Sequence, residues 1–374
     1  MSMILDGSNG VTFNDSSLQG AAASPYGLKN KLINGDMRID QRNAGASVTN
    51  AAAETYTLDR WAIYGSQASK FTIQQNAGSV TPPSGFTKYV GVTSSSAYSV
   101  LSTDQFLLYQ AIEGLNCTDL DFGASTAKTL TLSFWVRSSL TGTFSIGVTN
   151  YAANRSYVSN YTISAANTWE QKTITITGDT SGSWLTTNSG WGYVNFNLGC
   201  GSNFQATNNT WSAGNYKATS TSQSVVGTSG ATFYVTGVQL EIGSTATPFE
   251  RRMYGQELLL CQRYYEKSYN INAAPATAQN EGQRVSAGNT GTTTTGEITV
   301  SCEFNTRKRT APTMVMYDAV GNSGKCTRTN IGVGNYDNSA IDVVLISETN
   351  AYVYSNTGSA ACFIRYHFTA SAEL

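Results

Sequence analysis

Between Leu32 and Arg252 the chain repeats one pattern: short runs of alternating apolar and polar residues, closed every 10 to 15 residues by turn formers. No segment of helical period interrupts it, and period-two alternation is the mark of a strand with one buried face. The clearest run is residues 129–137, where Leu130, Leu132, Phe134 and Val136 face one way and Thr131, Ser133, Trp135 and Arg137 the other. Phe144, Ile146 and Val148 repeat the pattern after Thr141-Gly142, which predicts a hairpin. Further strands are expected at 61–64, 70–75, 88–92, 105–112, 157–163, 173–177, 193–198 and 231–242. In the last, Val238, Leu240 and Ile242 alternate with Gly237, Gln239 and Glu241 before Gly243-Ser244 and Pro248 end the strand. About ten antiparallel strands specify an all-β two-sheet sandwich or jelly roll.

The flanks divide the rest of the chain. Residues 1–30 carry Asp-Gly and Asn-Gly turn signals, which predict one hairpin, but too little apolar surface to fold alone. Residues 253–267 are the one helix expected, with Leu258, Leu259, Gln262 and Tyr265 at helical spacing and Glu257 near the start. Its Leu258-Leu259-Leu260 run is too apolar for a free linker and must pack on a domain or on copies of itself, so Leu258, Leu259 and Tyr265 are candidate contacts in a trimer. After a polar stretch with a Gly/Thr-rich loop at 288–296, strands are expected again at 297–304, 313–317, 340–346 and 362–370, giving a second small β-sandwich over 268–374.

Composition narrows the function. Charged residues are only 13% of the chain, against roughly 25% in an average domain. Forty per cent hydrophobics with 21 Tyr and 14 Phe exclude a disordered polar chain. A net charge of −1 gives no field to collect nucleic acid or an anionic membrane. The dense basic run Arg307-Lys308-Arg309 reads as a solvated loop. Six cysteines without ligand spacing read as isolated buried thiols rather than a disulfide framework. No apolar stretch is long enough to span a membrane and no signal peptide is visible, so synthesis in a cytoplasm is expected.

Catalytic constellations are sparse. The single histidine, His367, lies in a strand pattern with no partner histidine, which removes the usual Ser-His-Asp and multi-histidine zinc arrangements. No phosphate-binding loop, GxSxG or intact EF-hand loop occurs. Asp59, Asp104, Glu113, Asp119 and Asp121 could supply a glycosidase pair, which needs only two carboxylates. What remains is binding by aromatic faces. Trp61 and Trp169 read as structural, whereas Trp135 lies on a polar strand face and Trp184, Trp191 and Trp211 lie among Gly, Ser, Thr and Asn. These four are the candidate glycan contacts. Tyr317, Tyr336, Tyr352 and Tyr354 offer an alternative site in the C-terminal domain.

Three motifs carry a family resemblance. They are INGDMRIDQRNAG at 33–45, TGVQLEIGSTATPFERR at 236–252 and YGQELLLCQRYYEK at 254–267. Together they resemble a jelly-roll module of bacteriophage fibre and other virion surface proteins, and the closing Ser371–Leu374 and the opening MILDGSNGVTF are similar too. The resemblance implies domains at 1–30 (virion anchor), 31–252 (a jelly roll like carbohydrate-binding modules), 253–267 (connecting helix) and 268–374 (β-sandwich). It implies a non-enzymatic virion protein: a homotrimeric tail fibre or spike-like adhesin that binds host-surface glycan and meets other virion proteins through residues 1–30. A head fibre or capsid decoration protein and a polysaccharide-degrading tailspike are the alternatives. No cofactor is implied beyond a structural calcium ion, for which no ligand set can be named.

Overall fold

The computed structural model describes residues 28–286, 298–330, 333–356 and 362–374 in full, with backbone alone for Glu297 and for three short strands before residue 28. Those three, β1 (Ile4–Asp6), β2 (Gly10–Thr12) and β3 (Leu18–Gln19), form an antiparallel meander. The side chains expected to anchor the protein, and the loop expected at 288–296, lie outside the described residues.

A jelly-roll sandwich follows. Its strands are β4 (Val48–Thr49), β5 (Glu54–Tyr56), β6 (Ala62–Gly65), β7 (Phe71–Gln75), β8 (Val90–Ser94), β9 (Gln105–Glu113) and β10 (Leu130–Ser138). The chain continues through β11 (Gly142–Asn150), β12 (Arg155–Ile163), β13 (Glu170–Ile176), β14 (Gly190–Cys200), β15 (Thr210–Ala213) and β16 (Thr232–Ile242). One sheet has the order β15-β12-β11-β14-β9-β6-β5 and the other β13-β10-β16-β8-β7-β4, with every pairing between named strands antiparallel. Between them lies one core in which Leu130, Leu132, Phe134 and Val136 of β10 meet Phe106, Leu108, Phe144, Ile146, Val194 and Phe196 of the facing sheet. The alternation in the sequence and the inward faces of the sheets are the same pattern.

One glycine resets that pattern. In β16, Phe233 and Val235 point inward before Gly237, and Val238 and Leu240 point inward after it. The register against β10 shifts between Ser133 and Trp135, the signature of a β-bulge. Gly237 has φ +62°, and a Cβ there would lie 2.6 Å from the Phe86 ring. A glycine meets both demands.

The helix expected over 253–267 is shorter. α1 spans Tyr254–Gln262, and β17 (Tyr265–Lys267) pairs with β25 (Cys362–Ser371). Sheet pairing takes over where two tyrosines, good strand residues, follow Arg263. α1 is also more than a connector: Leu258, Leu260, Cys261 and Tyr264 pack on Ile33 and Ile39. The C-terminal sandwich contains β18 (Arg284–Val285), β19 (Glu297–Glu303), β20 (Thr313–Tyr317), β21 (Lys325–Asn330), β22 (Gly334–Ala340), β23 (Asp342–Val344) and β24 (Asn350–Asn356). One sheet centres on β25, bonded to β17, β18, β20 and β21, and the other is β19-β24-β23. Cys302, Val353, Ile364, Tyr366 and Phe368 are buried between them. The strand expected at 340–346 is broken at Ile341 into the ends of β22 and β23.

Candidate functional site

The outer face of the β5-to-β15 sheet is covered over β11 and β12 and open over β5, β6, β9 and β14. The outward residues Ser145, Gly147 and Thr149 of β11 and Ser156 of β12 lie under a strap formed by residues 214–223. Tyr216 N–H donates to Ser156 Oγ at 2.9 Å, Thr219 N–H to Ser145 Oγ at 3.2 Å, and Asn197 Nδ2 to Ser222 Oγ at 2.9 Å. Gly147 lets the strap approach, because a Cβ there would lie 2.9 Å from the Cα of Lys217.

Where the strap stops, a groove of about 210 Å³ opens over β5, β6, β9 and β14. Tyr64, Leu107, Tyr109, Tyr193 and Asn195 form its floor, with Glu54, Gln105, Asn215 and Lys217 around them. It is smaller than a drug-sized site of roughly 300–1,000 Å³, so a ligand filling it would be about one or two sugar rings in contact. Its aromatic rings form a ladder across strands. Tyr109 and Tyr193 meet edge to face at 5.8 Å, and Tyr193 stacks on Tyr151 at 5.5 Å with the planes 15° apart. Tyr64 and Tyr193 are half-buried and present apolar ring surface with hydroxyl edges, the chemistry that suits sugar C–H faces and sugar hydroxyls, while Tyr109, 5% exposed, backs them.

Polar groups line the same groove. Tyr109 Oη donates a short hydrogen bond to Glu54, and burial together with that carboxylate pushes the Tyr109 phenol far above its usual range. Asn195 Nδ2 donates to Gly147 O at 3.0 Å, which fixes its amide. Lys217 is 5% exposed, and its Nζ reaches Thr149 Oγ1 at 3.3 Å and Asn215 Oδ1. Burial pulls the Lys217 ammonium down to about 8. None of these residues stood out in the sequence. The outward phase of β9, Leu107 and Tyr109 opposite Phe106 and Leu108, is the signal that could have found part of the floor.

The tryptophans expected to bind ligand lie elsewhere. Trp191 is 1% exposed in β14 and Trp184 is 8% exposed, so neither offers a face to a sugar. They pack at 4.5 Å and join Phe122 and Trp211 in one cluster at the end of the core. Trp211 is half-buried and donates its Nε1–H to Thr177 O at 2.7 Å. The loop-like glycines around Trp191 belong to a strand: at Gly192 a Cβ would lie 2.2 Å from Thr149 O. Trp135 is half-buried on the opposite sheet, away from the groove. In the C-terminal sandwich, Tyr336 and Tyr352 are exposed, and Tyr317 and Tyr354 are half-buried.

Other expected sites resolve into structural bonds. Tyr265 is buried under the Arg42 guanidinium, 3.8 Å from its ring centre, so it cannot meet another subunit; Leu258 is half-buried and Leu259 is 50% exposed. Asp59 accepts from the Gln41 backbone and side chain, Asp104 from Tyr98 Oη, and Glu113 from Arg263 and Tyr264. Asp119 pairs with Lys31 and Asp121 with Lys128. His367 is buried, stacked on Tyr269 at 3.8 Å. The basic run is solvated only at Arg307, which is exposed and pairs with Glu348; Lys308 is buried against Glu266, and Arg309 donates to Ala372 O, Glu373 O and Asn188 O. All six cysteines are free, five of them buried and Cys200 half-buried. Among the described residues no group of three or more His, Cys, Asp or Glu side chains is placed to hold a metal ion. Among those residues no helix is long and apolar enough to cross a membrane.

No family model matches the chain. No curated protein matches it. Solved structures do. A CBM4 structure is 15% identical at TM-score 0.30, covering 56% of this chain and 98% of its own. The family 11 carbohydrate-binding module from Clostridium thermocellum, in complex with a β-1,3-1,4-mixed-linked tetrasaccharide, is 11% identical at TM-score 0.27, covering 54% and 98%. The enzymatically active domain of bacteriophage CBA120 tailspike protein 4 is 14% identical at TM-score 0.30, covering 60% of this chain and 22% of the other. Likeness at these TM-scores is too weak to argue from. The fold and the groove stand on the chain's own sheets and side chains.

Proposed function

We propose that this chain is a non-enzymatic virion protein, a homotrimeric tail fibre or spike-like adhesin whose jelly roll binds a host-surface glycan in the groove over β9 and β14. The observation that carries the binding role is the groove itself: Tyr64, Tyr109 and Tyr193 on its floor, with Gln105, Asn195 and Asn215 as neutral hydrogen-bonding groups. The virion role rests on the resemblance of residues 33–45, 236–252 and 254–267 to phage fibre proteins. Residues 1–30 would mount the protein on the particle, although Leu28, Lys29 and Asn30 donate backbone N–H groups to Glu250 and so belong to the jelly roll.

Binding of the full chain to purified host-surface polysaccharide tests the reading. Tyr193→Ala should weaken binding by about 1–3 kcal/mol, by analogy with bases stacked on aromatic side chains. Unchanged binding by Tyr193→Ala and Tyr64→Ala would remove the groove from the role. Release of reducing ends from the polysaccharide would make the protein an enzyme instead.

A further inference from the structure

The groove holds a charge without a counter-charge. Lys217 Nζ has two neutral oxygen acceptors, Thr149 Oγ1 and Asn215 Oδ1, for its three N–H donors. Among the described residues no carboxylate lies within 4.0 Å of it. The groups facing it are Tyr109 on β9, Tyr193 on β14, Cys200 at the end of β14 and Glu54 on β5. The Cys200 thiol is pushed up to about 12 by burial, so it stays neutral and supplies no anion. Glu54 is exposed and is held by the Tyr109 hydroxyl. Burying an ammonium is costly unless an anion joins it. Lysine nevertheless occupies this place, at the wall of an open groove floored by tyrosines.

We infer that the groove selects an acidic saccharide: a uronic-acid residue of a polysaccharide, its carboxylate against Lys217 Nζ and its ring on Tyr193. This rests on the glycan-binding reading and narrows it. Glu54 accepts hydroxyl donors from the same saccharide, and its carboxylate turns away a second carboxylate on its side. The ligand is thereby oriented, with its acidic edge toward the strap and its hydroxyl edge toward β5.

The test uses the full chain and a panel of uronate-containing oligosaccharides, each paired with its carboxyl-reduced form and with a sulfated neutral analogue. The uronate form should bind about tenfold tighter than the reduced form, the worth of one charge-assisted hydrogen bond. Lys217→Met should abolish that preference, and Lys217→Arg should keep part of it. Affinity for the uronate form should fall as the pH rises through about 8, where Lys217 loses its proton, while the reduced form stays level. Equal binding of both forms by the wild type overturns the inference and leaves glycan binding standing. Preference for the sulfated analogue over the uronate overturns the carboxylate assignment. Binding to no member of the panel removes the glycan reading and this inference together.

Discussion

Arg60, beside the jelly-roll core, forms an ion pair with Glu373 of the C-terminal sandwich, and both side chains are almost wholly excluded from solvent. The Arg60 guanidinium also lies 3.6 Å from the Tyr264 ring centre and donates to Ala111 O at 2.5 Å. Arg42 reaches the other Glu373 oxygen at 2.8 Å. Around this pair the three resembling motifs meet. Arg252 bonds Leu32 O and Glu257, Asn34 N–H donates to Glu257, and Gln41 Nε2 donates to Tyr265 O at 2.9 Å. The most distinctive stretches of the sequence thus build the joint between two sandwiches, not the groove.

Glu373→Ala should therefore destabilise the protein by about 3–5 kcal/mol, the cost of removing one partner from a buried pair. Two guanidinium groups lose their carboxylate at once. Urea titration read by tyrosine and tryptophan fluorescence measures it. Glu373→Gln, which keeps an acceptor, should cost less, and a cost below about 1 kcal/mol for Glu373→Ala would mean the joint does not depend on this pair.

Core and groove aromatics should separate cleanly. Trp191→Ala removes a ring sealed between Phe122 and Trp184 and should cost about 3–5 kcal/mol of stability. Tyr193→Ala, two positions on and on the other face of β14, should act mainly on glycan binding, because its ring is only half-buried. Trp135→Ala should leave binding unchanged. Thermal midpoints and a binding isotherm on the three variants decide it.

The sandwich was legible because burial on one face of a strand writes period two into the sequence, as in β9, β10 and β11. What was not legible has physical causes. β22 is Gly-Asn-Tyr-Asp-Asn-Ser-Ala, an exposed edge strand with no apolar phase to see. Gly190 and Gly192 mimic a turn, yet they flank Trp191 within a strand where the Tyr151 ring and the Thr149 carbonyl, respectively, leave no room for Cβ. Lys217 carries no local mark, since its burial comes from a strap crossing β11, a contact 68 residues away in sequence. The ties of Lys308 and Arg309 were not legible because their carboxylate and carbonyl partners, Glu266 and residues 372–373, are distant along the chain.

Asp59 gives the joint a pH dependence. Its carboxyl is fully buried, and desolvation raises it to about 6 against an ordinary 3.8, with Arg42 and the Gln41 donors opposing that rise. The folded protein then holds a proton that the unfolded chain has released between pH 3.8 and 6. Stability from this group therefore increases as the pH falls through that window, and the cost of its ionised form is complete above about pH 6. Each unit of the shift is worth about 1.4 kcal/mol. Asp59→Asn removes the titration, so the stability difference between wild type and variant should slope over this window and be flat from pH 7 to 8. Parallel curves for the two proteins throughout would refute the raised value.

The remaining apolar surface concerns assembly. α1 buries Glu257 and Cys261 against the jelly roll and turns its other side outward, where Met253 is 83%, Leu259 50% and Tyr254 44% exposed. Tyr265 cannot contribute, so a trimer contact through this helix must run along Met253 and Leu259. Cyclic symmetry would bring three copies of this short stripe together on one axis. Sedimentation of the full-length protein at micromolar concentration should give a trimer, and Leu259→Asp, which places a charge in that contact, should shift it toward monomer without lowering the thermal midpoint of the isolated subunit. A wild-type protein that sediments as a monomer at that concentration would leave the stripe unpaired and remove the homotrimer from the proposed role. A trimer that survives Leu259→Asp would place the contact on another surface, with the meander β1–β3 as the next segment to delete, by removing residues 1–26 and leaving Lys29 and Asn30 bonded to Glu250.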